Sequence, residues 1–110
     1  MMSTYTPDRW VVLEMNSEHG KIQKVFAGWY GGFTGSDSWK LNSGITKIEE
    51  FDDRYEFVGE TGSVYICYKT CYGMSSYMAG VLMGWRSAEE YGSKFTIGIV
   101  EGYEHERTFD

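Results

Sequence analysis

Proline, cysteine, histidine and basic residues are all scarce in this chain of 110 residues. A single proline, in a chain that is 42% apolar, argues against a linker-like or disordered protein. Ten Lys and Arg against sixteen Asp and Glu give a net charge of −6, and the basic residues are scattered. Because neutralising phosphates of DNA or RNA requires clustered Lys and Arg, direct nucleic-acid binding is not expected.

No segment of the chain is expected to enter a membrane. The opening residues lack the basic and apolar stretches of an export signal. The longest apolar run, Tyr77–Trp85, is about half the length that a bilayer crossing requires. We therefore expect a cytoplasmic protein with no membrane partner.

The few cysteines and histidines offer little chemistry. Cys67 lies in the predicted strand 63–70 and Cys71 directly follows it; in extended chain, residues four apart lie about 13 Å from each other, too far for a disulfide. A zinc site would need His19 and His105 as its remaining ligands, and that spacing is a weak zinc signal. We expect reduced, structural cysteines, no metal and no other cofactor.

Motifs for catalysis are also missing. The glycine-rich stretch 28–35 lacks the Gly-Lys-Ser/Thr of a phosphate-binding loop, and no Gly-x-Ser-x-Gly nucleophile elbow occurs. The carboxylates of Glu49 and Asp52 fall on a predicted hairpin open to water, where raised pKa values are hard to arrange. The sequence therefore predicts a protein that is not an enzyme.

Apolar periodicity predicts one α+β domain over residues 1–110. Six segments read as strands: 9–15, 21–29, 45–51, 54–58, 63–70 and 94–100. A helix at about 74–91 carries an apolar stripe wide enough to cover a sheet. The prediction is a mostly antiparallel, meander-like sheet of about six strands, with a barrel-like closure as an alternative, and one amphipathic helix packed on it. The acidic tail, 102–110, is expected to fray.

Aromatic residues are unusually abundant. Nine Tyr, six Phe and four Trp are too many for every ring to lie inside one small core. Tyr and Trp supply rigid contact area with a polar group, and they dominate binding hot spots. The cluster of Trp29, Tyr30 and Phe33, followed by Trp39, is therefore a predicted recognition surface. The alternative is that Trp29 and Trp39 anchor the core at strand ends.

A second set of residues could hold a nucleotide, with rings for the base, cations for phosphate and polar groups for base edges. The candidates are Trp39, Tyr65 and Tyr72 for stacking, Lys40, Lys69 and Arg86 for phosphate, and Asn42, Ser43 and Ser63 for polar edges.

Two further surfaces could bind another protein. An acidic docking edge is formed by the hairpin carboxylates Glu49, Glu50, Asp52 and Asp53. It could dock on a basic partner face, although a solvated hairpin explains the same charges. In the predicted helix, Gly80 and Gly84 each cost up to about 1 kcal/mol relative to alanine. They indicate either a close approach of the sheet or a groove for a partner or a second copy of the chain.

Three strings resemble a group of small uncharacterised proteins of tailed bacteriophages and prophages. They are TPDRWVV at 6–12, DSWKLNSGIT at 37–46 and GSVYICYK at 62–69, with Tyr72-Gly73 following. The likeness covers about the first 75 residues and brings no established activity. It implies an accessory phage protein acting in the bacterial cytoplasm, of a kind that often counters host defence.

Within that context two functions compete. In the first, the protein is a non-catalytic inhibitor that binds a host protein through its aromatic loop and acidic edge. In the second, it sequesters a small nucleotide immune signal. A structural or assembly protein of the virion is a third possibility.

Overall fold

The computed structural model describes residues 3–32, 35–90 and 95–104, apart from the side chains of Glu89, Glu90 and Phe95. The strands are β1 (Thr4–Tyr5), β2 (Arg9–Ser17), β3 (Gly20–Trp29), β4 (Ser38–Leu41), β5 (Ile45–Glu50), β6 (Arg54–Gly59), β7 (Val64–Tyr68) and β8 (Phe95–Ile99). A 3₁₀ turn covers Lys69–Cys71, and the helix α1 covers Ser76–Glu90. This confirms the α+β class.

The strands form two four-stranded sheets. The outer sheet has the order β1-β7-β6-β5, and the central sheet has the order β4-β3-β2-β8. All neighbours are antiparallel except β1 and β7. The predicted count of six strands is wrong, because β1 and β4 are too short to show a period in the sequence. No closed barrel forms in the described part of the chain.

The central sheet is buried on both faces, which makes the molecule three-layered. One face packs on the outer sheet through a buried cluster of Trp10, Val12, Val25, Ala27, Phe57, Tyr65 and Cys67. The other face packs on α1 through Val11, Leu13, Phe26, Met78, Leu82 and Ile97. Strand β2 therefore carries apolar residues on both sides, as a strand between two layers must.

The prediction of a single meander-like sheet is wrong, because the strands divide between two sheets; within them, β2 and β3 form a hairpin and β5, β6 and β7 form a meander. Strands β2 and β3 pair from Arg9↔Gly28 to Ser17↔Gly20, and Gly20 has the positive φ of +117° that its turn requires. Strands β5, β6 and β7 follow one another in space as they do in sequence. The third of them ends at Tyr68, two residues earlier than predicted, where the 3₁₀ turn begins.

Helix α1 begins at Ser76, two residues later than predicted, because Ser75 caps it. The Ser75 hydroxyl accepts a hydrogen bond from the Met78 backbone N–H at 3.2 Å. Met78 then lies against Gly28, where a Cβ would meet its sulfur at 2.3 Å. Glycine at position 28 thus lets the helix sit close to β3. In the described residues no helix is long and apolar enough to span a bilayer.

The segment after β8 returns to the core. Tyr103 is half-buried, and its ring lies 5.1 Å from that of Tyr55, 5.6 Å from that of Phe57 and 6.1 Å from that of Trp10. The remainder of the predicted fraying tail, 105–110, lies outside the described residues.

Candidate functional site

A cavity of about 340 Å³ opens between the two sheets, beside the end of β4. Five of the predicted nucleotide-binding residues line it: Lys40, Asn42, Ser43, Ser63 and Tyr65. They come from β4, the loop after it, the β6–β7 turn and β7. Two segments remote in sequence, 40–43 and 63–65, therefore meet at one site.

Four further lining residues were not predicted: Tyr5, Lys24, Leu41 and Thr61. Tyr5 reaches the cavity only because β1 pairs in parallel with β7, with Tyr5 opposite Tyr65. Lys24 is paired with Leu13, so its side chain leaves β3 on the helix face, and no local pattern marks it as a cavity residue.

Asn42 is the most informative residue of the cavity. Its side chain is almost fully buried, at 3% exposure. The side-chain Oδ1 of Asn42 accepts a hydrogen bond from the Val25 backbone N–H at 2.9 Å, and the backbone N–H of Asn42 donates to the Val25 carbonyl at 3.1 Å. The Asn42 Nδ2 has no hydrogen-bond partner within the described ranges. A buried donor without a partner costs about 1–3 kcal/mol, so the Asn42 amide is an energetically unfavourable feature in the cavity wall.

The rim of the cavity is tied together by polar contacts. The Ser43 hydroxyl accepts a hydrogen bond from the Thr61 N–H at 3.2 Å and lies 3.4 Å from the Thr61 hydroxyl. The Glu60 N–H donates to the Gly44 carbonyl at 2.9 Å. A Cβ at Gly59 would come within 3.0 Å of the Ser43 hydroxyl and 3.3 Å of Asn42 Nδ2. The loop after β4 and the β6–β7 turn therefore hold each other in place around the Asn42 amide.

Two lysines give the cavity its charge. The Lys40 Nζ lies 5.0 Å from the centre of the Tyr5 ring, within cation–π range. Neither Lys40 nor Lys24 has a carboxylate within ion-pair distance among the residues that the structure describes. The lining residues include no Asp or Glu. The cavity lining therefore has basic but no acidic side chains, in a chain whose net charge is −6.

Tyr65 contributes to the cavity wall rather than a stacking platform. It is 1% exposed, and the Tyr5 ring lies 5.0 Å from its own. Burial, with smaller contributions from Tyr5 and Cys67, raises the pKa of Tyr65 to about 12. Its hydroxyl is therefore neutral at physiological pH.

The other predicted nucleotide contacts lie outside the cavity. Tyr72 is half-buried against Trp10, with ring centres 5.0 Å apart. The Lys69 Nζ is bound to a Glu50 carboxylate oxygen at 2.7 Å, and this contact raises the pKa of Lys69. Arg86 is exposed on α1. Of the predicted nucleotide-binding residues, five therefore line the cavity and the others do not.

The residues of the predicted aromatic surface differ in exposure and do not all lie together. Trp29 is half-buried beside Tyr5, and its indole N–H donates to the Thr6 carbonyl at 3.1 Å. Tyr30 is 56% exposed. Trp39 is 39% exposed on the helix side of β4, with its ring 5.1 Å from that of Trp85. Phe33 lies outside the described residues.

The acidic docking edge is largely neutralised by neighbouring cations. Glu49 contacts Lys47 at 2.7 Å, Glu50 contacts Lys69 at 2.7 Å, and Asp53 contacts Arg54 at 2.8 Å. Asp52 has no ion pair to any residue in the described ranges. Such exposed pairs add little stability, yet they reduce the negative field that a basic partner would encounter. Docking through this edge remains a prediction.

Gly80 and Gly84 do not face the sheet. Both are exposed, and a Cβ built on either would meet no atom within 4 Å. A close approach of the sheet therefore does not explain them. Their use by a second copy of the chain remains a prediction.

The described residues hold no group of three or more His, Cys, Asp or Glu side chains close enough to bind a metal ion. Cys67 and Cys71 are both free. Cys67 is buried, and burial raises the pKa of its thiol.

Fold and site together define a two-sheet α+β protein with a lysine-lined cavity between its sheets. Neither protein-family models, nor curated proteins, nor solved structures give a match to the chain. The resemblance to bacteriophage proteins therefore stays a prediction.

Proposed function

We propose that the protein is a ligand-binding module that holds a small phosphate-bearing molecule, such as a nucleotide, in the cavity between its sheets. The observation that carries this proposal is a cavity lined by two lysines without a carboxylate partner in the described chain and by Asn42, whose buried amide nitrogen also lacks a partner there.

The lining matches the chemistry of such a ligand. Lys24 and Lys40 supply charge-assisted donors for phosphate oxygens. The Asn42 amide donates to a further acceptor, and the Thr61 and Ser63 hydroxyls can both donate and accept. A cavity of about 340 Å³ falls at the low end of small-molecule sites, which suits one nucleotide unit.

Binding alone gives the protein a function in the phage context that its sequence suggests. A module made in excess over a nucleotide signal lowers the free concentration of that signal by mass action. No bond of the ligand needs to break, so the proposal requires no catalytic group. Host defence that depends on the signal would then be weakened.

Calorimetry with three probes tests the proposal: inorganic phosphate, AMP and adenosine. The wild type should bind AMP, bind phosphate more weakly and bind adenosine least. A Lys24→Gln/Lys40→Gln variant removes two charge-assisted contacts, each worth about 1.5–3 kcal/mol, so AMP affinity should fall at least about 100-fold.

The matched control is Lys47→Gln/Arg86→Gln, which removes the same charge outside the cavity. Its AMP affinity should stay within about twofold of the wild type, and both variants should melt near the wild type because none of these four side chains is buried. Binding that is absent in the wild type, or lost equally in both variants, would refute the proposal.

A second candidate, inhibition of a host protein, is favoured by the aromatic residues beside β4. Tyr30 and Trp39 are both exposed, and β4 is an edge strand of the central sheet. A Tyr30→Ala variant should melt like the wild type yet lose a co-purifying bacterial protein. Retention of that protein by the variant would count against this surface.

A further inference from the structure

Resting on the proposed ligand site, we infer that the ligand carries two anionic groups and at least one further base, as a dinucleotide does. It would extend from the first cavity into a neighbouring one of about 600 Å³. The second cavity is lined by His19, Lys21, Gln23, Ile45 and Glu60, among others.

Two stretches of chain run from one cavity into the next without a break. In the β6–β7 turn, Thr61 lines the first cavity and Glu60 lines the second. Between β4 and β5, Ser43 lines the first cavity, and Ile45, the first residue of β5, lines the second. The two cavities are therefore adjacent parts of one cleft.

The lysines that line this cleft differ from the other described lysines in having no carboxylate partner. Lys21, Lys24 and Lys40 line it, and none of them has a carboxylate partner among the described residues. Lys47 and Lys69 lie outside it, and each is paired with a glutamate at 2.7 Å. Lys21 alternates with Val25 along β3, and Lys40 is paired with Ala27, so both lysines leave the central sheet on the face toward the outer sheet. Unpaired cations therefore line both cavities, which suits a ligand with two separated anionic groups.

Glu60 makes the second cavity suited to a different part of the ligand from the first. Its carboxylate lies above Gly44, where a Cβ would meet Oε1 at 3.1 Å, and it is the one acidic side chain that lines either cavity. A carboxylate accepts hydrogen bonds from the exocyclic amino group of a base and repels phosphate. The second cavity therefore fits a base with its linking phosphate near Lys21, and it does not fit a bare polyphosphate chain.

Calorimetry with AMP and the dinucleotide pApA separates this inference from the function on which it rests. The wild type should bind pApA at least about 10-fold more tightly than AMP. Lys21→Gln should weaken pApA binding about 10-fold and leave AMP binding within about twofold. Glu60→Gln should also weaken pApA binding selectively, while Lys47→Gln serves as the control and should change neither.

Equal affinities of the wild type for AMP and pApA would overturn the two-unit ligand, as would an equal loss of both in Lys21→Gln. If AMP binding still depended on Lys24 and Lys40, the proposed function would stand without this extension. If neither AMP nor pApA bound, the proposed function and the two-unit ligand would both be refuted.

Discussion

Replacing Asn42 by alanine removes two groups with opposite effects on stability. The Oδ1 atom is the side-chain acceptor for the buried Val25 N–H, at 2.9 Å. The Nδ2 atom is a buried donor for which the described chain has no partner. Loss of Oδ1 leaves the Val25 N–H without its acceptor and destabilises the fold. Loss of Nδ2 removes a buried unpaired donor and stabilises the fold.

The size of the net effect follows from these two terms. Leaving the Val25 N–H without its acceptor costs about 1–3 kcal/mol. Removing an unpaired amide offsets part of that cost. We therefore expect Asn42→Ala to lower the free energy of unfolding by about 1 kcal/mol, which corresponds to about 4 °C in melting temperature for a domain of this size.

Urea unfolding and thermal melting of the ligand-free protein measure this directly. Ser63→Ala is the control, because Ser63 lines the same cavity and its hydroxyl makes no hydrogen bond to the described residues. That variant should stay within about 0.5 kcal/mol of the wild type. A loss of more than about 3 kcal/mol in Asn42→Ala would show that the side chain contributes more than the Val25 hydrogen bond, which would contradict an unpaired Nδ2.

Three further predictions concern the helix face, a buried tyrosine and the thiols. Gly80→Ala and Gly84→Ala should each stabilise the protein by up to about 1 kcal/mol, because the added Cβ meets no atom. A lower melting temperature, or a changed molar mass by light scattering, would instead show that a partner covers this face of the helix. Since burial raises the pKa of Tyr65 from 10 to about 12, the unfolded chain ionises first, so stability is complete below pH 10 and declines between pH 10 and 12. Tyr65→Phe should flatten part of that decline in melts from pH 8 to 11, and an unchanged slope would contradict the burial effect. A thiol reagent should label Cys71 quickly and Cys67 only after denaturation, because burial raises the pKa of the Cys67 thiol; two fast-reacting thiols in the native protein would disprove this.

The longer elements of the fold could be predicted because each has a clear period. The β2–β3 hairpin, the meander of β5, β6 and β7, and helix α1 all follow from alternation or helical spacing over five residues or more. The split into two sheets did not follow, because β1 has two residues and β4 has four. Both are extended through their pairing with β7 and β3, which is tertiary information.

The site could be predicted in part for a similar reason. Lys40, Asn42, Ser43 and Ser63 belong to the polar stretches next to strands, where ligand contacts are common. Tyr5 and Lys24 come from strands that reach the cavity through sheet pairing, and no local pattern marks them. Lys69 and Tyr72 had suitable chemistry, but the structure uses one in an ion pair with Glu50 and the other against Trp10.

The most direct test of the cavity as a ligand site is an NMR titration that follows the side-chain amide protons of Asn42. On addition of AMP, we predict that these two resonances move more than those of any other side-chain amide and exchange more slowly with water. The Val25 backbone amide should respond with them, since it is bonded to the same side chain. Saturable AMP binding that leaves the Asn42 resonances in place, or no binding at all, would contradict the account.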